Sequence, residues 1–186
     1  MITKDNTQVK THTIYAKIGE LTKCEYANQT ELNNFTPVEE MHMSMTRPLG
    51  KNTTNGFVPF GPVEVSEPYL LISSAHWPDC VMTIYNGTIV DSIIIRVVTS
   101  NGKREVTILE HTFSDCSIVG LFTDETCATK VHFQYTSYQS DYYQYDGDGK
   151  KQGTHSVLFD LKKLGNAKPA GGEEGGESTE SEGEDE

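Results

Sequence analysis

The chain has 186 residues, 35% hydrophobic and 23% charged, with a formal net charge of −12, which is long and apolar enough for one domain with its own core. Eight of the 27 acids and one of the 15 basic residues fall in the last segment, KPAGGEEGGESTESEGEDE, so the rest carries 19 acids against 14 bases, net −5. The body is mildly acidic and has no stripe of clustered Lys and Arg, which excludes nucleic acid as a partner. No apolar run is long enough to span a membrane, and the N-terminus MITKDNTQVKTHT lacks the apolar centre of a secretory signal. The expectation is therefore a fold made in the cytosol, with no membrane insertion. Residues 168–186 have no aromatic or branched apolar residue and are expected to be a disordered acidic tail after a domain at 1–167.

In chain order, Thr13–Ile18 places Ile14, Ala16 and Ile18 on one face and predicts a first strand. A polar stretch, Thr22–Pro37, shows weak periodicity. Val38–Thr46 then alternates Met41, Met43 and Met45 with His42 and Ser44, a second half-buried strand. Arg47–Pro62, RPLGKNTTNGFVPFGP, is rich in Gly and Pro and predicts a long extended loop. Loops of this length in a compact domain usually have a task. Phe57, Val58 and Phe60 at its far end either fold back on the body or dock on a neighbouring subunit.

Ser66–Trp77 reads as the helix, with Ser66 as N-cap, Glu67 and Pro68 in the first turn, and Pro78 as its stop. From Val81 the pattern reads as strands: VMTIYNGTIV with a turn at Asn86-Gly87, then SIIIRVVT, a β-branched run. Asn101-Gly102 joins that run as a hairpin to a meander over Arg104–Tyr138, whose three runs are separated by Ser114 and by Asp124-Glu125. Within it Val131, Phe133 and Tyr135 alternate with Lys130, His132 and Gln134. A sheet with one apolar and one wet face suits a building part better than a catalytic cleft. Gly147–Gly153 is a turn-rich loop, and Ser156–Leu161 a last strand.

Candidate chemistry is thin. Asp146, Asp148 and Gly149 in YDGDGKK open like a calcium loop, but the later oxygen ligands and the bidentate Glu are missing, so a plain turn is expected. His12, His42, His76, His111, His132 and His155 form no HExxH or HxH pair, and the methionine row is a core filler before it is a soft-metal stripe. No Ser or Cys sits in a GxSxG turn. Gly50, Gly56 and Gly61 make no phosphate cradle, and Trp77 beside His76 reads as a core anchor. Cys24, Cys80, Cys116 and Cys127 lack CxxC spacing and are expected reduced and half-buried, with no zinc. Neither a catalytic residue, a metal nor a cofactor is expected. Asn28, Asn34, Asn52 and Asn86 each open an Asn-x-Thr triplet, which suits a glycosylated secreted protein but also arises by chance in a Thr-rich chain.

The order of elements resembles a known family. The Met-rich strand running into TRPLGKN, the Gly-rich loop, FGPVEVSEPYLL, the hairpin RVVTSNGKREVTILEHTFSDCSIVGL, and VHFQYTSYQSDYYQYDGDGKKQGTHSVLFDLKK with its closing Phe159, Asp160, Leu161 and Lys162 are similar to the Hcp (haemolysin-coregulated protein) family. These are the inner-tube subunits of type VI secretion systems, related to phage tail-tube proteins. The resemblance covers most of residues 12–165. It implies a mainly β fold, a two-sheet antiparallel β-barrel with one short α-helix. It implies six copies in a ring, and rings stacked into a hollow tube that carries effectors within a contractile sheath. Sheath, spike and effector proteins would be the partners, and the chain would be assembled in the bacterial cytoplasm, then secreted or injected. Stacking would fall to the projecting loop, through Leu49, Gly50, Lys51, Asn52, Phe57, Val58 and Phe60. Two other readings stand beside it: a secreted or viral β-sandwich that binds a host protein, and a phage tail-tube protein.

Overall fold

A computed structural model describes residues 12–23, 30–46, 49–52, 56–59, 64–100, 105–123 and 128–161, with the backbone path alone along 49–52 and 56–59. The expected acidic tail, the Asn101-Gly102 turn and Phe60 lie outside the described residues. The elements are β1 (His12–Ile18), a 3-10 turn (Thr30–Leu32), β2 (Thr36–His42), β3 (Met45–Thr46), β4 (Leu49–Asn52), β5 (Gly56–Pro59), β6 (Glu64–Val65) and β7 (Tyr69–Ser73). A second 3-10 turn (Ser74–His76) leads into α1 (Trp77–Asn86), followed by β8 (Val90–Ser100), β9 (Glu105–Thr123), β10 (Ala128–Gln134), β11 (Ser137–Tyr145) and β12 (Lys151–Asp160).

Six strands in the order β10-β7-β2-β1-β8-β9 form an antiparallel barrel, closed by pairing of β9 with β10. Alternation along each strand fills it. Ala16 and Ile18 of β1, Leu70 and Ile72 of β7, Ile93 and Ile95 of β8, Phe113 of β9, and Val131 and Phe133 of β10 are all buried in one cluster. Each of these side chains larger than Ala16 contributes roughly 1.5–3 kcal/mol by leaving water. Phe113 meets Phe133 and Tyr135 edge-on, with ring centroids 5.1 and 4.8 Å apart, the geometry that ring quadrupoles favour.

The long strand β9 organises the molecule. Its first part pairs with β8 on one side and with β11 on the other, while Ser117–Thr123 pair with β10. The exchange of partners happens at Ser114 and Asp115, where Asp115 takes φ 49°. Thr136, between β10 and β11, clasps the bend: its backbone N–H donates to Ser114 O at 3.0 Å and its hydroxyl to Asp115 Oδ2 at 2.8 Å. Beyond the bend, β11 and β12 continue the sheet as a pair outside the barrel.

The polar stretch Thr22–Pro37 has a structural task where it is described. Leu32 and Phe35 form a small second core with Val98, flanked by Tyr15 and Ile94. Thr22 fixes its start, accepting from Ile18 N at 3.1 Å and donating to Asn34 O at 2.6 Å.

Four expectations are corrected. Ser66–Trp77 is not the helix: Tyr69–Ser73 is β7, paired on both edges with β2 and β10, and the helix is Trp77–Asn86. Pro78 opens that helix, and Gly87, with φ 62°, caps it by donating its N–H to Ile84 O at 3.0 Å, a left-handed position that suits Gly. The break at Ser114 is a bend within one strand of 19 residues. Arg47–Pro62 is an extended loop only in part, because β4 and β5 pair as a hairpin, Leu49 opposite Pro59 and Asn52 opposite Gly56. The last strand begins at Lys151, five residues before Ser156.

Candidate assembly surfaces

Of the residues expected to stack rings, all but Phe60, which lies outside the described residues, fall on the β4–β5 hairpin. Lys51 is opposite Phe57 and Gly50 opposite Val58, and the hairpin forms a two-stranded sheet separate from the barrel sheet. Leu49, Gly50, Lys51, Asn52, Phe57 and Val58 are thereby brought together on adjacent strands.

The exposed large hydrophobic side chains on the described part of the molecule occur in three places. Val81, Met82, Ile84 and Tyr85 face out from α1, with Ile89 just after it, and Tyr85 is 83% exposed. Val119 and Phe122 stand out from the end of β9, and Tyr142, Val157 and Leu158 from β11 and β12, with Leu158 69% exposed. A surface helix ordinarily presents polar residues outward, whereas α1 buries Cys80 and Thr83 and shows water its apolar side chains. The sequence held a signal for this: residues 80–90, CVMTIYNGTIV, contain no charged residue. Read as strands, they concealed it.

On the barrel exterior a row of rings crosses four strands. His42 stacks on Tyr69 at 5.4 Å, Tyr69 meets His132 at 5.2 Å, and His132 meets Phe122 at 5.4 Å. Lys130 Nζ stands 4.3 Å from the Tyr69 ring centre, and the Tyr69 hydroxyl donates to Glu40. The Phe122 ring lies over Gly120, where an added Cβ would come within 3.3 Å of the ring. Beside it Leu71, Phe122, Thr123, Lys130 and His132 line an open cavity of about 380 Å³.

Polar groups gather along β11, β12 and the adjoining parts of β8 and β9. Arg96 Nε donates to Glu110 Oε2 at 2.5 Å, Tyr143 donates to Glu110 Oε1 at 3.5 Å, and the Lys151 ammonium sits 3.8 Å over the Tyr143 ring. Asp141, opposite Glu110, is buried; its Oδ2 accepts from Gln139 Nε2 at 2.8 Å, while its Oδ1 has no partner. Asp146, the head of the calcium-like run, is occupied by its own turn. It accepts from Asp148 N at 3.0 Å, Lys150 N at 2.8 Å and Gln152 Nε2 at 2.7 Å. The donation from Lys150 leads in lowering its carboxyl pKa.

Among the described residues no cluster of His, Cys, Asp and Glu could hold a metal. Met41, Met43 and Met45 pack against the core, as fillers do. Burial pushes the Cys80 thiol up to about 11 and Cys116 to about 12, which leaves both as protonated apolar residues and poor nucleophiles. Burial also lowers the His111 pKa; its Nδ1 shares a 2.8 Å hydrogen bond with the Tyr138 hydroxyl inside the sheet. These titratable groups are parts of packing and form no cleft.

The family model described as "Type VI secretion system effector, Hcp" matches residues 4–142. No curated protein matches by sequence. Among solved structures, one described as a type six secretion system protein superposes with a TM-score of 0.69 at 10% identity, covering 83% of this chain and 98% of that one. Hcp1 from Salmonella typhimurium gives 0.61 at 16% identity over 82% and 97%. A type VI secretion system effector from Yersinia pestis gives 0.58 at 14% over 79% and 98%. At these identities the structures speak for the fold, and the family match speaks for membership.

Proposed function

The chain belongs to the Hcp family of type VI secretion system proteins, and from this premise we propose that it is a structural subunit of a hollow tube, built from stacked hexameric rings, that carries effectors in its lumen. The observation that supports the reading most is β12. It is a ten-residue strand with β11 as its one described neighbour, and it is wet on both faces, with Val157 and Leu158 both exposed. Natural proteins protect such edges or spend them on a partner. Among the described residues, a barrel otherwise closed on itself carries in β12 a long strand with a single strand neighbour, whose outer side another copy of the chain can meet.

The β4–β5 hairpin stands apart from the barrel sheet and is the contact we assign to the next ring, through Leu49, Gly50, Lys51, Asn52, Phe57, Val58 and Phe60. Sheath, spike and effector proteins would be its partners, with assembly in the bacterial cytoplasm followed by secretion or injection. The role is mechanical, without catalysis or cofactor.

Mass in native solution tests the reading, with electron microscopy of the particles. Hexamers and stacked rings are expected, and a strict monomer at high concentration would refute it. Deleting residues 51–56 should leave rings that no longer stack; full-length tubes from that variant would remove the hairpin from the contact.

A further inference from the structure

Two rows of side chains cross β2, β7, β10 and β9 on the barrel exterior. Register sets Glu40, Leu71, Lys130 and Phe122 opposite one another in one row, and His42, Tyr69, His132 and Gly120 in the next. Opposite residues on neighbouring antiparallel strands stand about 5 Å apart at Cβ, so these positions make one continuous patch.

Its two ends differ in chemistry. At the β2 end the Glu40 carboxylate is occupied by the Tyr69 hydroxyl. At the β9 end the Phe122 side chain is 61% exposed, yet its ring is held in place. It lies over Gly120, where an added Cβ would come within 3.3 Å of it, and it meets the His132 ring edge-on at 5.4 Å. Between the ends, Lys130 sits beside Phe122 and Leu71 with its ammonium 4.3 Å from the Tyr69 ring centre. Among the described residues no carboxylate forms an ion pair with it. The ring fixes where that charge stands and leaves N–H donors for a further partner. Leu71, Phe122, Thr123, Lys130 and His132 enclose about 380 Å³, a size that suits a small molecule.

We infer that this cavity binds a small aromatic carboxylate, its ring against Phe122 and Leu71 and its carboxylate on the Lys130 ammonium. A fixed, partly wet ring favours a second flat ring beside it, and an ammonium without a counter-ion favours an anion through charge-assisted hydrogen bonds. An aromatic amine would meet like charge at Lys130, and an acid without a flat ring would forgo the stacking on Phe122. The cavity is open to water, so affinity is expected on the order of 1 mM, in line with a ligand of few atoms. Every lining residue comes from one subunit, and the inference does not rest on the tube reading.

The test is saturation-transfer NMR on the full chain with benzoate as the probe, beside benzylamine, which keeps the ring and reverses the charge, and cyclohexanecarboxylate, which keeps the charge and loses the flat ring. Benzoate is expected to bind tightest of the three. Lys130→Met should weaken it about tenfold, Lys130→Arg should retain it, and Phe122→Leu should bring benzoate down to the level of cyclohexanecarboxylate. All three variants are expected to keep the wild-type circular dichroism, since Phe122 and the Lys130 head lie outside the barrel core. Should Lys130→Met lose that spectrum, the benzylamine comparison on wild type and the Phe122→Leu variant decide the matter. No saturation transfer from wild type to benzoate, benzylamine binding as tightly as benzoate, or benzoate binding unchanged in a folded Lys130→Met or Phe122→Leu would each overturn the inference.

Discussion

The barrel and the β11–β12 pair are both built from long antiparallel strands, yet they end in opposite conditions. In β10, Val131 and Phe133 are shut inside a closed wall whose neighbours are all supplied by the same chain. In β12, Val157 and Leu158 point to opposite faces and both reach water, while Phe159 is the residue that packs back, stacked on Tyr138 at 6.1 Å. Hydrophobic alternation specifies a strand and its two faces; it does not say which faces the chain can cover alone.

The sharpest way to break this contrast is in the barrel core. Replacing Phe113, in contact with three other rings, by Ala should destabilise the folded subunit by about 3–5 kcal/mol, read as a shifted midpoint in urea under conditions where the protein is monomeric. Loss of under about 1 kcal/mol there would mean that the barrel is not the stable half. Next in size is the clasp at the bend. Thr136→Val removes the hydroxyl from Asp115 and should cost about 1 kcal/mol, with faster amide exchange in β11 and β12 than in β1 and β8. The reverse replacement, Val157→Thr, should change subunit stability by less than about 0.5 kcal/mol because that side chain is half in water.

Acid sharpens the comparison further. Burial lowers the His111 pKa from 6.5, so the unfolded chain binds a proton at that residue more readily than the folded one. Its contribution is therefore complete above pH 6.5 and declines as pH falls below it. A His111→Gln variant should show a flatter loss of stability between neutral and mildly acidic pH than wild type, measured by urea midpoints at each pH. Equal slopes would mean that His111 is not the group responsible.

Much of the wall was legible. The first strand, the strand from Ser92 to Thr99 and the alternation around Phe133 follow from periodicity, because each has one face in the core and one outside; the expected Met-rich strand Val38–Thr46 is instead divided, β2 ending at His42 and Met45–Thr46 pairing with β6 in another sheet. The helix was not, and the reason lies in two residues whose local meaning is ambiguous. Proline both ends and begins helices, and Pro78 begins one; glycine after asparagine makes hairpin turns and helix caps alike, and Gly87 makes a cap. Tyr69–Ser73 carries Pro68 just ahead of it, as a helix would, but two flanking strands hold it extended and Leu70 and Ile72 fill the barrel. Tertiary pairing overrode a local signal. Ser114 was read as a chain reversal because polar residues interrupt the run there; they interrupt it since β9 changes partners at that point, with Asp115 bound to Thr136. The hairpin at 49–59 was hidden by its glycines and prolines, and the outward apolar face of α1 could not be seen while those residues were assigned to strands.

Closure of the six-strand wall separates two events that are fused in many assemblies. Because the pairing of β9 with β10 completes the subunit without help, joining its kin adds nothing to the list of contacts that make it folded. In the proposed tube, dilution would then return finished parts, each ready for reuse, and the lifetime of the filament would be set apart from the lifetime of the fold.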